Sequence, residues 1–210
     1  MVELIEKVVY INLESRKDRL ETIQQELSIF PPEKVQRFDA ISHEKGAIGC
    51  SMSHIAVLEM AISQNWKNVL IVEDDMQWID FSQKIEILNK LLSQPYDVIG
   101  LGGTFVNYNR NTYKAYSFST ATGYVVSNHY YSVLLENFRE GCQKLIEKYE
   151  PPKYALDRYW KQIQSRDNWY IIMPPICIQR PSYSDIEKKD VDYKMLFNGK
   201  PNPLLRWLRR

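Results

Sequence analysis

The feature that most constrains this 210-residue chain is Val69-Leu70-Ile71-Val72, an apolar run that passes directly into Glu73-Asp74-Asp75. A short aliphatic run without polar alternation reads as a strand buried on both faces, as in a parallel sheet covered by helices. The sequence around it follows the same plan. Residues 7–13, 35–40, 68–73, 96–101, 123–127 and 169–173 read as strands, the last of these closing the series. Residues 15–28, 51–64, 81–92, 131–146 and 155–163 read as helices, with apolar residues spaced at about 3.6. Ser15 and Ser51 are the expected N-caps, Phe30-Pro31-Pro32 a stop, and Gly46 with Gly49 a turn. A polar stretch from Gly102 to about Thr122 reads as a loop or hairpin. Alternating strands and helices predict an α/β fold with a mostly parallel sheet flanked by helices.

Hydrophobic residues at 44% and charged residues at 25% predict one folded domain, with residues 1–187 as its body and 188–210 as an extension. A net charge of +1 provides no basic field of the kind that binds nucleic acid. Aromatic residues, at 12%, serve cores and also serve as stacking platforms for bases and sugars. Cys50, Cys142 and Cys177 are far apart and form no CxxC pair, so a reducing, cytoplasmic compartment is expected. The first seven residues carry acids and do not read as a signal peptide, and no apolar stretch reads as long enough to span a membrane. The tail Leu204-Leu205-Arg206-Trp207-Leu208-Arg209-Arg210 is basic and amphipathic; it reads as a frayed end or as a peripheral contact with an anionic membrane.

Ligands of open α/β sheets bind beyond the carboxyl ends of the strands, where Glu73-Asp74-Asp75 lies. Three adjacent acids repel unless neutralised, and a hard divalent cation with oxygen ligands does this well. Alternation along the chain lets Glu73 and Asp75 face one way, as candidate metal ligands, and Asp74 the other. A plain solvated strand end, or Asp74 as a cap, is the simpler alternative.

Asn12 to Arg19 occupies the other strand-to-helix turn. A helix start attracts anions, Arg16 and Arg19 could share a face, and the Asn12 amide could read a base or ribose. A charged, solvated helix face explains the same residues. Ser53 and His54 are expected in a first helical turn near the same sheet edge, where His54 meets a phosphate or sugar hydroxyl or is simply a packed histidine. Asp157 heads a helix-like run, as a cap or as a general base. Gln179, Ser184 and Asp185 lie in a polar turn that also reads as an ordinary loop.

In this order, Ile11-Asn12-Leu13 with Arg16, Asp18 and Arg19, then Arg37-Phe38-Asp39-Ala40, Gly49-Cys50 with Ser53-His54, and Leu70 to Asp75 resemble glycosyltransferase family 25. Weaker matches follow at residues 122–127, at Leu156-Asp157, and at Gln179 with Ser184-Asp185-Ile186. The family includes bacterial lipooligosaccharide galactosyltransferases and collagen galactosyltransferase domains. The resemblance implies a single-domain, GT-A-like (Rossmann-like) fold and a UDP-sugar donor, with Mn²⁺ or Mg²⁺ at Glu73 and Asp75. It further implies transfer of a hexose such as galactose or glucose, with inversion, to a glycan, glycolipid or protein, as in lipopolysaccharide biosynthesis. Asp157 is then the base, and Asn12, Leu13, Arg16, Arg19, Asp39, Ala40, Ser53, His54 and Asp74 surround the donor. The chain departs from the family pattern at Asn128-His129-Tyr130-Tyr131, which puts an acceptor carried over from relatives in doubt. Two other classes compete: a metal-dependent nucleotidyltransferase or phosphoesterase, disfavoured by the lack of a glycine-rich phosphate loop, and a catalytically inactive glycan-binding scaffold.

Overall fold

The computed structural model describes residues 3–197. In chain order the elements are β1 (Lys7–Asn12), α1 (Lys17–Glu26), β2 (Val35–Asp39), α2 (Gly46–Ser63), β3 (Asn68–Glu73), β4 (Met76–Trp78), α3 (Phe81–Leu92), β5 (Val98–Gly100), β6 (Thr104–Tyr108), β7 (Ala115–Ser119) and β8 (Gly123–Ser127). There follow α4 (Tyr131–Lys148), α5 (Pro151–Tyr154), α6 (Leu156–Tyr159), α7 (Lys161–Gln164), β9 (Trp169–Ile171), β10 (Cys177–Gln179), β11 (Ser182–Ser184), β12 (Lys189–Val191) and α8 (Lys194–Phe197).

Six strands form one sheet in the order β2-β1-β3-β8-β5-β9. The pairs β1–β2, β1–β3 and β5–β9 are parallel, whereas β8 runs antiparallel to both β3 and β5. This is the mixed, mostly parallel, Rossmann-like sheet expected. β3 shows why it is covered on both faces. Val69 and Ile71 pack with Val57 and Leu58 of α2 and Leu134 and Phe138 of α4; Leu70 and Val72 pack with Ile23 of α1 and Leu88 of α3. Burying each such side chain is worth about 1.5–3 kcal/mol, so this strand is held by its own side chains on both faces. The aromatics serve the core here: Trp160 and Trp169 are fully buried, with Phe118 5.2 and 5.9 Å away.

Several local expectations are corrected. Gly46 and Gly49 do not form a turn but open α2. A Cβ at Gly49 would stand 2.5 Å from the carbonyl oxygen of Ile41, so the glycine allows the segment after β2 to lie directly on the helix. Ser51 is therefore inside the helix, its hydroxyl donating to the Ala47 carbonyl, and Ser15 precedes an α1 whose N-cap position is Arg16. Residues 155–163 divide into α6 and α7 at Trp160. β9 is not the final strand: β10 pairs with β4, and β11 with β12. The boundary drawn at 187 falls in the turn of this last hairpin, and Phe197 beyond it is buried. By length and composition α2, at 18 residues, is apolar enough to cross a membrane, contrary to the sequence reading; half of it is buried, and it packs against α4 and β3. The basic tail at 204–210 lies outside the described residues.

Candidate functional site

Parallel pairing brings the carboxyl ends of β1, β2 and β3 to one edge, with Asn12 opposite Asp39 and Ile11 opposite Glu73. A cleft of about 270 Å³ opens there. Leu13 lines it from the turn after β1, Arg19 from the first turn of α1, Ala40 from the end of β2, and Ser53 and His54 from α2. Glu73, Asp74 and Asp75 form its acidic part, and Gln179, Ser184 and Asp185 close it from the last strands. These candidates converge although they come from stretches up to about 170 residues apart.

Each acid has a different environment. Asp74 accepts hydrogen bonds from the Asn12 amide and from Arg19, both at 2.8 Å. Burial still raises its pKa, against the pull of Arg19 and Asn12. Arg19 also stands 3.3 Å from Asp75 and donates to the Ser182 hydroxyl and the Tyr183 carbonyl. Arg19 is thus the counter-ion of the acids while it also lines the cleft. It neutralises only part of the acidic charge. Asp75 Oδ1 is buried without a partner, and burial together with Glu73 pushes the Asp75 carboxyl up to about 8.

Glu73 Oε2 accepts from Gln179 at 3.2 Å, while Oε1 lies 3.7 Å from both His54 Nε2 and Cys50 Sγ. Burial pushes this carboxyl up, but His54, Arg19 and Gln179 together outweigh it and leave it below its ordinary value. His54 is in the third turn of α2, not the first, fully buried, with Nδ1 2.7 Å from the Tyr124 hydroxyl. Ser53 faces the cleft edge, but its hydroxyl is engaged: it donates to the Gly49 carbonyl and accepts from the Ile41 amide.

Four candidates stand outside the cleft lining. Asn12 is buried behind Asp74 and orients it. Arg16 is held by Asp18, Asp185 and the Tyr183 carbonyl, so its charge is satisfied locally. Asp39 is largely exposed and paired with Arg37. Asp157, second in α6, accepts from the Thr120 amide through Oδ2, and burial raises its carboxyl. It is near enough to the acids that the charge of Glu73 adds to this rise. Sequence reasoning missed Cys50 and Lys188 as lining residues. The signal for Cys50 was its spacing of four from His54 on one helix; Lys188 gave none beyond a charged turn.

The sequence model of glycosyltransferase family 25, described as an LPS biosynthesis protein family, matches residues 44–131. No curated protein sequence matches the chain. Among solved structures, the chain is similar to mannose-1-phosphate geranyltransferase from Thermus thermophilus, at 10% identity over 80% of this chain and 73% of that one, with a TM-score of 0.50. It is also similar to the glycosyltransferase GlyE in Streptococcus pneumoniae, at 11% identity over 80% of this chain and 45% of that one, with a TM-score of 0.46. At such identities the first likeness speaks for the fold alone. The family match spans α2, the acidic end of β3 and all of β8, the elements that carry His54, Glu73 and Tyr124, and it supports assignment of the chain to glycosyltransferase family 25.

Proposed function

We propose that this chain is a metal-dependent transferase that moves a hexose from a UDP-sugar to a glycan, glycolipid or protein acceptor, with inversion, on a GT-A-like fold. The observation that carries this reading is the buried, unpartnered Asp75 Oδ1 among three acids at the carboxyl ends of parallel strands. An orphaned carboxylate oxygen is costly to keep, and oxygen donors from Glu73 and Asp75 suit a hard divalent ion such as Mn²⁺ or Mg²⁺. When bound, such an ion supplies charge that stabilises a departing diphosphate.

The chain's own residues do the rest. Arg19 and Asn12 fix Asp74 and so hold the acidic turn in place. Lys188 lines the cleft and offers a cation to the diphosphate. Asp157, with Oδ2 held by the Thr120 amide, takes the acceptor hydroxyl proton at Oδ1. Its raised pKa moves it toward the operating pH, where a general base is most effective.

The test is thermal unfolding with UDP, GDP, CDP and ADP, each with Mn²⁺ and again with EDTA. A ligand at a hundredfold excess over its Kd stabilises the fold by about 2.7 kcal/mol. UDP with Mn²⁺ is expected to raise the midpoint, and EDTA to abolish the rise. No shift with any nucleotide would overturn the proposal and turn attention to glycan binding alone.

A further inference from the structure

α2 places Cys50 and His54 four residues apart, on one face, opposite the last residue of β3. Glu73 Oε1 lies 3.7 Å from Cys50 Sγ and 3.7 Å from His54 Nε2, and the three ligand atoms all lie within 4.8 Å of one another. The imidazole is fully buried, yet its Nε2 has no hydrogen-bond partner. The ring cannot turn away: Nδ1 is bonded to the Tyr124 hydroxyl, Tyr124 stacks on it at 5.7 Å, and Phe138 meets its edge at 6.3 Å. Gln179 holds Glu73 Oε2 and so directs Oε1 toward the pair.

Zinc takes nitrogen and carboxylate ligands at about 2.0–2.2 Å and thiolate at about 2.3 Å, which at tetrahedral angles separates ligand atoms by roughly 3.3–3.7 Å. The carboxylate's distances to the thiol and the imidazole are therefore already near those of a loaded site. We propose that Cys50 Sγ, His54 Nε2 and Glu73 Oε1 form a site for a thiophilic divalent ion, Zn²⁺ in the first place, next to the hard-ion pair of Glu73 and Asp75.

A sulfur and nitrogen donor set prefers Zn²⁺ to Mg²⁺ or Mn²⁺. Tyr124 is the outer partner that orients a ligating histidine. Three protein ligands leave a fourth position, and all three residues line the cleft, so this is an exchangeable site and not a closed structural one. Binding releases the Cys50 thiol proton to solvent. Because Glu73 belongs to both sets, Zn²⁺ here competes with the ion of the transferase reading. That competition rests on the proposed function; the site itself does not.

The test uses the full metal-stripped chain titrated with Co²⁺. The expected result is a thiolate-to-cobalt charge-transfer band with four-coordinate visible bands, saturating at one ion per chain and displaced by Zn²⁺. Cys50→Ser should abolish the charge-transfer band, His54→Gln should weaken Co²⁺ binding about tenfold or more, and Asp75→Asn should retain the band. X-ray absorption of the zinc-loaded wild-type chain checks the same point without a variant: one sulfur at about 2.3 Å is expected. An oxygen-only shell, or a band unchanged in Cys50→Ser, overturns the site. If UDP and Mn²⁺ stabilise the chain while no sulfur is found, this inference fails alone. If sulfur is found while no nucleotide binds, the transferase reading fails alone.

Discussion

Asp75→Asn isolates the electrostatic cost of the acidic turn. In the wild type, burial and the charges of Glu73 and Asp74, opposed by Arg19, carry the Asp75 carboxyl from 3.8 to about 8. A carboxyl raised on folding keeps its proton more firmly in the folded state. Its contribution to stability is full below about pH 4 and is lost as the pH rises through about 8. At about 1.4 kcal/mol per pH unit, the whole loss is at most about 6 kcal/mol. The open side of the cleft reduces it, since 14% of the side chain still meets solvent. A third of that limit, about 2 kcal/mol, would still move the midpoint of a chain this size by roughly 4–8 °C. The assay is thermal unfolding in EDTA from pH 5 to 8.5, on both proteins, repeated with Mn²⁺. The wild type should lose stability across that range, Asp75→Asn should lose less and be the more stable at pH 8, and Mn²⁺ should rescue only the wild type. Equal slopes in EDTA, or a variant weaker than wild type at pH 8, would refute the reasoning.

Two further outcomes are expected. Asp157→Asn should lower transfer by about 10² to 10⁴ while leaving nucleotide-induced stabilisation intact; because burial raises this carboxyl, the variant should also be more stable than wild type at pH 7, with the gain vanishing below the ordinary carboxyl range. Near-normal turnover would remove Asp157 from the base role. Gly49→Ala should cost about 1–3 kcal/mol in denaturant unfolding, because the added carbon meets the Ile41 carbonyl at 2.5 Å, and an unchanged midpoint would contradict the close approach.

Periodic burial was legible and pairwise partnership was not. The run before Glu73 announces a strand covered on both faces because every side chain in it is apolar. The run Tyr124-Val125-Val126 announces a strand equally well, yet nothing in an apolar run encodes direction, and β8 turned out antiparallel. Gly49 reads as a turn because glycine usually serves backbone freedom; here it serves a helix-to-loop contact that no local pattern records. Arg16 and Arg19 were readable as a basic helix start, but their partners Asp185, Ser182 and Tyr183 follow some 160 residues later. The same holds for Cys50: its neighbour Glu73 lies across a strand–helix interface, so only its spacing from His54 was visible.

The reach of the two arginines fixes when the cleft comes into being. Arg16 bonds Asp185 across 169 positions, and Arg19 bonds Ser182 across 163. At about 5–20 residues per second, a ribosome needs roughly ten to thirty seconds to go from one partner to the other. Until residues 182–191 are made, the nascent chain has no wall from the last hairpin. A cleft built this way is completed after the sheet beneath it, and a chain cut short before Ser182 would keep most of its core and none of that wall.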